Sequence, residues 1–237
     1  MPLAGGIIQH GYQCGMVWGA VLAAGAHSYY LHGSGNQSEV QAVEAAKKLV
    51  ELFRIQNKTI NCIELTSIDK SSTGLQMFVH FFIKGGTISC LRRAIKYART
   101  ANLEIGSALT QITDDQPVNL IGCTSILADK LGISELHRAM IAGFAGGIGL
   151  CGNACGALGA AVWIMTMRDL HDEDQTVNFK NPRVINLISR FLKYTDYEFE
   201  CAEITGRQFS TYEEHARFIK EGGCSKLIEL LAEPESS

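Results

Sequence analysis

Cysteine is the residue type with the clearest chemical potential in this chain of 237 residues, which contains eight of them. Thiolates are soft, anionic ligands, and four of them commonly hold a zinc ion or an iron–sulfur cluster. The second half has no close C-x-x-C pair, so a site there must be assembled by tertiary contacts between helices. The second-half cysteines are Cys123, Cys151, Cys155, Cys201 and Cys224.

Three of these cysteines recur in the first half, within a chain that repeats itself. Cys14, Cys62 and Cys90 correspond in order to Cys155, Cys201 and Cys224. The separation between equivalent residues shrinks in small steps along the chain, which indicates two related copies with short deletions in the second. A free cysteine is also readily buried as a small apolar residue. Because these cysteines recur, we favour ligands or redox-active thiols over structural burial.

His10 and Cys151 are weaker candidates, each four residues before a repeated cysteine. On a helix, this spacing would place His10 beside Cys14 and Cys151 beside Cys155. If the glycine that follows each of them instead marks the turn before a helix, Cys14 and Cys155 lie in the first turn of that helix. There the helix dipole lowers a thiol pKa. The sequence leaves both arrangements open, together with a solvent-exposed His10 that has no role.

A second repeated pattern follows the middle cysteine of each copy. Glu64 and Thr66 follow Cys62 as Glu203 and Thr205 follow Cys201. A carboxylate and a hydroxyl this close to a thiol could orient it or relay protons. A helix cap and a solvated carboxylate are equally consistent with the pattern.

A glycine-rich run at residues 147–152 matches the dinucleotide-binding pattern G-x-G-x-x-G. That motif requires a preceding strand, whereas residues 134–144 have a helical pattern. In the first copy the middle glycine is replaced by Ile8, whose side chain would block a pyrophosphate. We therefore interpret these glycines as sites of close helix packing or left-handed turns. No catalytic triad, H-E-x-x-H, P-loop or paired-carboxylate signature is present, so no catalytic residue is predicted.

The hydrophobic periodicity predicts an all-α fold of two similar helical halves packed together. Residues 40–53 and 183–193 have the spacing of half-buried helices, and Ser134 and Thr211 are expected helix starts. Only residues 59–65 alternate as a strand would. We expect residues 1–100 to form a diverged, N-terminally shortened repeat, and residues 101–116 to form a linker that includes Thr113–Gln116. Residues 117–237 are expected to form the complete repeat, which begins with an amphipathic segment at 117–130.

Composition excludes several classes of protein. The net charge of −3 and the lack of a broad basic face argue against nucleic-acid binding. The one basic cluster, around Arg92, Arg93 and Lys96, is expected to be a solvated helix face. Residues 1–38 and 139–167 carry no charge, but they are rich in Gly and Ala and lack basic flanks, so we do not expect membrane insertion. No secretory signal pattern opens the sequence, and we expect a cytoplasmic protein in which disulfides do not persist.

The second half resembles the redox-active protein family named for the C_GCAxxG_C_C cysteine pattern. The resemblance rests on the glycine-rich run at 143–149, the segment Gly152–Gly159 around Cys155, and the later Cys201 and Cys224. It covers residues 117–237 well, and the first half resembles a diverged copy. The family is related to a domain of split-Soret cytochromes. The resemblance implies an all-helical redox protein whose iron–sulfur cluster is held by Cys123, Cys155, Cys201 and Cys224.

Three functions follow as hypotheses. The first is an electron-transfer protein with an iron–sulfur cluster, a redox partner protein and a tendency to form a homodimer. The second is a metal-free thiol/disulfide oxidoreductase that uses Cys151 and Cys155 or another pair. The third is a structural or assembly module whose cysteines bind zinc or only pack. The absence of a C-x-x-C-H sequence excludes the usual covalent attachment of haem.

Overall fold

A computed structural model describes residues 2–110, 120–169 and 181–233. The regular structure in these ranges is helical, with two isolated bridges in place of a sheet. The expected linker residues Thr113–Gln116 and the first residues of the segment 117–130 lie outside the described part.

The described part of the first half contains five α-helices and one short π-helix. They are α1 Gly15–His32, α2 Asn36–Asn57, α3 Cys62–Thr66, α4 Gly74–Phe78, the π-helix Val79–Ile83 and α5 Gly86–Thr110. Helix α2 contains the predicted helix at 40–53 and confirms it. Helix α5 continues through residue 100, where we placed the end of the first repeat, and that domain boundary remains a prediction.

The second half begins with two helices that have no counterpart among the described residues of the first. They are α6 Cys123–Leu131 and α7 Glu135–Ala142, followed by α8 Gly156–Asp169, α9 Pro182–Tyr194, α10 Cys201–Thr205, α11 Tyr212–Lys220 and α12 Ser225–Ala232. The predicted helix at 183–193 lies within α9. Ser134 and Thr211 cap α7 and α11 by accepting hydrogen bonds from backbone N–H groups three residues later, which confirms both predicted helix starts.

The two halves contain equivalent backbone bridges, which confirms the prediction of two similar helical halves. An antiparallel bridge joins Gln13 to Asn61 in the first half, and its equivalent joins Ala154 to Glu200 in the second. Each bridge connects the residue before a helix-capping cysteine to the residue before the next short helix. The prediction of a strand at 59–65 was wrong beyond this bridge, because α3 begins at Cys62 and the Thr66 hydroxyl donates to the Cys62 carbonyl at 2.8 Å.

The glycine-rich runs form left-handed turns, one of the two interpretations made from the sequence. All residues of 5–9 and of 146–150 have positive φ. Gly147 has φ +78°, and a Cβ at this position would lie only 2.5 Å from the Asn153 backbone nitrogen. Ile148 also has φ +62°, which is costly for a β-branched residue, and its side chain is completely buried. Burial of the Ile148 side chain in the core therefore offsets the conformational cost of its positive φ.

Small residues allow close helix packing in the core, as the long uncharged stretches suggested. A Cβ on Gly25 of α1 would lie 2.2 Å from the Ala139 carbonyl oxygen of α7, and one on Gly159 of α8 would lie 2.5 Å from the Trp18 ring. Trp18 is completely buried, and its indole N–H donates to the Gln13 carbonyl at 3.1 Å. Among the described residues, no helix is both long enough and apolar enough to cross a bilayer.

Polar and aromatic contacts join the two halves. The completely buried Gln13 accepts a hydrogen bond from the Ala154 N–H at 3.2 Å. Tyr12 stacks on Phe199 with ring centroids 4.2 Å apart. The buried Glu39 of α2 pairs with Arg138 of α7. These contacts fix the orientation of one repeat against the other, because each needs specific geometry from both.

Candidate functional site

Cys155 lies at the N-terminus of α8, immediately before its first residue. Its thiol accepts hydrogen bonds from the backbone N–H groups of Leu158 and Ala157. Cys14 precedes α1 in the same way and accepts from the Met16 N–H. Of the two arrangements left open by the sequence, the structure therefore has the glycine turn that enters a helix.

The bridge in the second half brings Cys201 to Cys155. The Cys155 N–H donates to the Phe199 carbonyl at 2.8 Å, and the Cys201 N–H donates to the Asn153 carbonyl at 2.6 Å. Cys201 is the first residue of α10. Two cysteines 46 positions apart are thus held together by backbone hydrogen bonds on both sides of one bridge.

Cys123 and Cys224 approach the pair from two other helices. Cys123 is the first residue of α6, and its sulfur accepts from the N–H groups of Gly146 and Thr124. Cys224 precedes α12 with φ +59°, an uncommon conformation for a residue with a side chain. Helix α12 packs on α6, so the contact between these helices brings the last two thiols to the site.

Electrostatic interactions link the four thiols. Burial raises the pKa of Cys201, and negative charge on Cys155, Cys123 and Cys224 would raise it further. Burial raises the pKa of Cys123 in the same way, with added contributions from Cys155 and Cys224. For Cys224, burial together with Cys155 raises the pKa to about 12. Four thiolates cannot coexist there at neutral pH unless a cation compensates their charge.

The spacing of these thiols bears on what they could bind. Within residues 2–110, 120–169 and 181–233, no three His, Cys, Asp or Glu side chains are grouped closely enough to hold one metal ion. Thiolates bonded to one zinc at 2.3 Å must lie about 3.8 Å apart. An iron–sulfur cluster places several irons and sulfides between its thiolates and accepts a wider set. The described thiols are therefore not grouped as one zinc ion requires.

The first-half cysteines form a second group. Burial raises the pKa of Cys14 to about 11, the Met16 N–H lowers it, and charges on Cys62 and Cys90 would raise it. Burial also raises the pKa of Cys62, and Arg93 lowers the pKa of both Cys14 and Cys62. Arg93 is half-buried, one turn after Cys90 on α5. From the sequence we expected Arg93 on a solvated helix face. Its position three residues after a repeated cysteine could have indicated that it lies near these thiols.

Burial outweighs the effect of the helix N-terminus on two thiols. In the first-turn arrangement, one of the two left open by the sequence, the helix dipole would lower the pKa of Cys14 and Cys155, but burial raises the pKa of both thiols. Backbone N–H groups do favour the thiolate at each sulfur. Both cysteines are nevertheless buried, and the cost of desolvating a charge is the larger effect.

No other thiol is among the causes that shift the pKa of His10 or of Cys151. The Cys151 thiol donates to the Gly149 carbonyl at 3.4 Å, and the charges that perturb its pKa are those of Arg54, Lys47 and Glu51. His10 lines a separate cavity of about 410 Å³ and packs on the Phe199 ring, with centroids 5.3 Å apart. Burial, with a smaller contribution from Lys70, lowers the pKa of His10 to about 4.

The repeated Glu and Thr residues divide between the two interpretations made from the sequence. Glu64 and Glu203 are exposed, as expected of solvated carboxylates. The Thr205 hydroxyl donates to the Cys201 carbonyl at 2.7 Å and also lies within hydrogen-bonding reach of the Cys201 thiol, where it lowers the pKa. Thr66 has the same relation to Cys62. The threonines, rather than the glutamates, contact the candidate ligands.

The raised thiol pKa values predict a pH dependence for the metal-free, reduced protein. A group whose pKa is higher in the folded state stabilises that state below its unfolded pKa, and the contribution is lost as pH rises. For Cys14 this window runs from the usual value of 9 to about 11. We expect the free energy of unfolding, measured by urea denaturation, to fall across this window, with Cys14 contributing on the order of 2 kcal/mol. The Cys14→Ala variant should fall less steeply, and equal slopes would contradict the assignment.

Together, the duplicated helical fold and the convergent cysteines define a cysteine-motif protein with an internal repeat. A family model described as "Putative redox-active protein (C_GCAxxG_C_C)" matches residues 1–90 and 123–234, one segment in each half. The chain therefore belongs to the C_GCAxxG_C_C family. Neither the curated proteins nor the solved structures contain a match to it.

Proposed function

We propose that the second repeat binds an iron–sulfur cluster through Cys123, Cys155, Cys201 and Cys224, and that the protein transfers electrons. The observation that carries the proposal is the electrostatic coupling of four buried or half-buried thiols at the N-termini of four different helices. When bound, such a cluster supplies one-electron redox chemistry.

Backbone and hydroxyl donors around the sulfurs support this assignment. Gly146 donates to the Cys123 sulfur and Leu158 to the Cys155 sulfur, both from backbone N–H groups. The Thr205 hydroxyl lies within reach of Cys201. Donors to sulfur stabilise thiolate charge and tune the potential of a bound cluster. The left-handed loop contributes through Gly146, which gives its backbone strain a functional role.

Burial determines how the site exchanges electrons and excludes water. Cys123, Cys155 and Cys201 are each less than a tenth exposed, whereas Cys224 is half-buried. The three buried thiols shield the interior of the site from solvent. Cys224 therefore lies on the side from which a partner could approach most closely. The proposed partner is a redox protein that docks over the start of α12.

Two alternative functions are less consistent with the geometry. A thiol/disulfide oxidoreductase needs an accessible thiol with a lowered pKa, whereas burial raises the pKa of Cys155 and of Cys151. The charged residues that shift the pKa of Cys151 lie on α2, and no other thiol is among them. A single structural zinc needs thiols closer together than those of the described residues.

The proposal includes a reducing, cytoplasmic setting and self-association. All eight cysteines are free in the structure, and the proposed compartment keeps thiols reduced. Exposed apolar side chains at Phe82 and Leu91, 74% and 59% accessible, provide surface that a second copy could cover.

Anaerobic purification followed by iron and acid-labile sulfide analysis tests the function. We expect a coloured protein whose visible absorption bleaches on reduction and whose reduced form gives an electron paramagnetic resonance (EPR) signal. A colourless, iron-free protein with reversible thiol oxidation would support the oxidoreductase instead. Tightly held zinc without iron would support the structural module.

A further inference from the structure

The first repeat contains a cavity of about 550 Å³ whose wall includes three thiols. Cys14, Cys62 and Cys90 line it together, along with apolar groups such as Met16 and Phe81. No fourth cysteine, and no His, Asp or Glu, is among the described residues that line this cavity. The space is large enough for a group of many atoms, since one water molecule occupies about 30 Å³ in the liquid.

These three thiols occupy the same structural positions as three of the four in the second repeat. Cys14 precedes α1 as Cys155 precedes α8, and Cys62 begins α3 as Cys201 begins α10. Thr66 lies within hydrogen-bonding reach of Cys62 as Thr205 does of Cys201. The first repeat thus reproduces the thiol positions on a similar backbone, without an equivalent of Cys123 in the wall.

The electrostatic environment differs between the two sites. Arg93 lowers the pKa of Cys14 and Cys62, so its positive charge acts on the first group of thiols. No cationic side chain is among the causes that shift the pKa of Cys123, Cys155, Cys201 or Cys224. The Arg93 side chain lines a neighbouring cavity rather than this one, and its charge favours negative charge on Cys14 and Cys62.

We propose that the first repeat is a second cofactor site, in which Cys14, Cys62 and Cys90 hold an iron–sulfur cluster and leave one iron position for a small anionic donor from solution. The choice of cofactor rests on the proposed function of the four-thiol site. The chain would then have a closed site that only carries electrons and an open site that also binds a ligand.

Site-specific variants separate the two sites. Cys155→Ser removes a ligand of the closed site, and Cys62→Ser removes one of the open site, with Cys90→Ser as a second variant in case Cys62→Ser folds poorly. Each protein is purified anaerobically, analysed for iron and sulfide, and examined by EPR after reduction, with and without cyanide as the anionic donor. We expect Cys155→Ser to retain a signal that cyanide shifts. We expect Cys62→Ser to retain one that cyanide leaves unchanged.

The outcomes distinguish this inference from the function on which it rests. If no form of the protein binds iron, both the second cofactor site and the proposed function are wrong. If Cys155→Ser lacks iron while Cys62→Ser keeps the wild-type content, only the open site falls. A signal in Cys155→Ser that ignores cyanide would overturn the free coordination position, because another group would then fill it.

Discussion

Replacing Cys155 with Ser is expected to reduce the iron bound at the four-thiol site by more than about tenfold. Cys155 is buried, receives two backbone N–H groups and is electrostatically coupled to Cys201 and Cys224. A neutral hydroxyl in its place cannot supply the same soft, anionic ligand. Iron content and the EPR signal, measured in a Cys62→Ser background so that only this site contributes, give the result.

Cys151→Ser in the same background is the matched control. Cys151 is four residues from Cys155, but its thiol donates to the Gly149 carbonyl and it lies near charges of α2. We expect wild-type iron content at the four-thiol site in this variant. If Cys151→Ser loses as much iron as Cys155→Ser, the assignment of ligands is wrong. Circular dichroism of both variants identifies any loss that comes from unfolding.

Gly25→Ala is expected to destabilise the fold by about 3 kcal/mol or more. The new Cβ would lie 2.2 Å from the Ala139 carbonyl oxygen and 2.6 Å from the Met140 Cα. Both contacts are with the backbone of α7, so a change of side-chain rotamer cannot relieve them. Helices α1 and α7 must separate, and the close packing of the core is lost. Urea denaturation of the purified variant measures the change in unfolding free energy.

Gly19→Ala is the control on the same helix. Gly19 is exposed in α1, and a Cβ there would have no neighbour within 4 Å. Alanine has the higher helix propensity, so this variant should gain up to about 1 kcal/mol. A similar loss of stability at both positions would show that helix α1 does not depend on close contact at Gly25.

Several features of this protein follow from local sequence alone. The spacing of apolar residues correctly predicts α2 and α9, and the capping residues Ser134 and Thr211 correctly mark helix starts. The duplication is visible as ordered matches between the halves, and the family model matches a segment in each. These signals are local or repetitive, because helix periodicity and capping depend on residues a few positions apart. They suffice to predict a helical protein with two related halves.

The convergence of the site was decided by tertiary structure. Cys123 and Cys224 meet because α6 packs on α12, and no local pattern encodes that contact. The position of Arg93 beside Cys14 and Cys62 depends on how α5 lies across the first repeat. Burial also outweighs the pKa-lowering effect of the helix N-terminus at Cys14 and Cys155, since solvent exclusion depends on every neighbouring element rather than on one helix end. Distances across the fold and desolvation are properties of the packed chain, and the order of residues alone does not determine them.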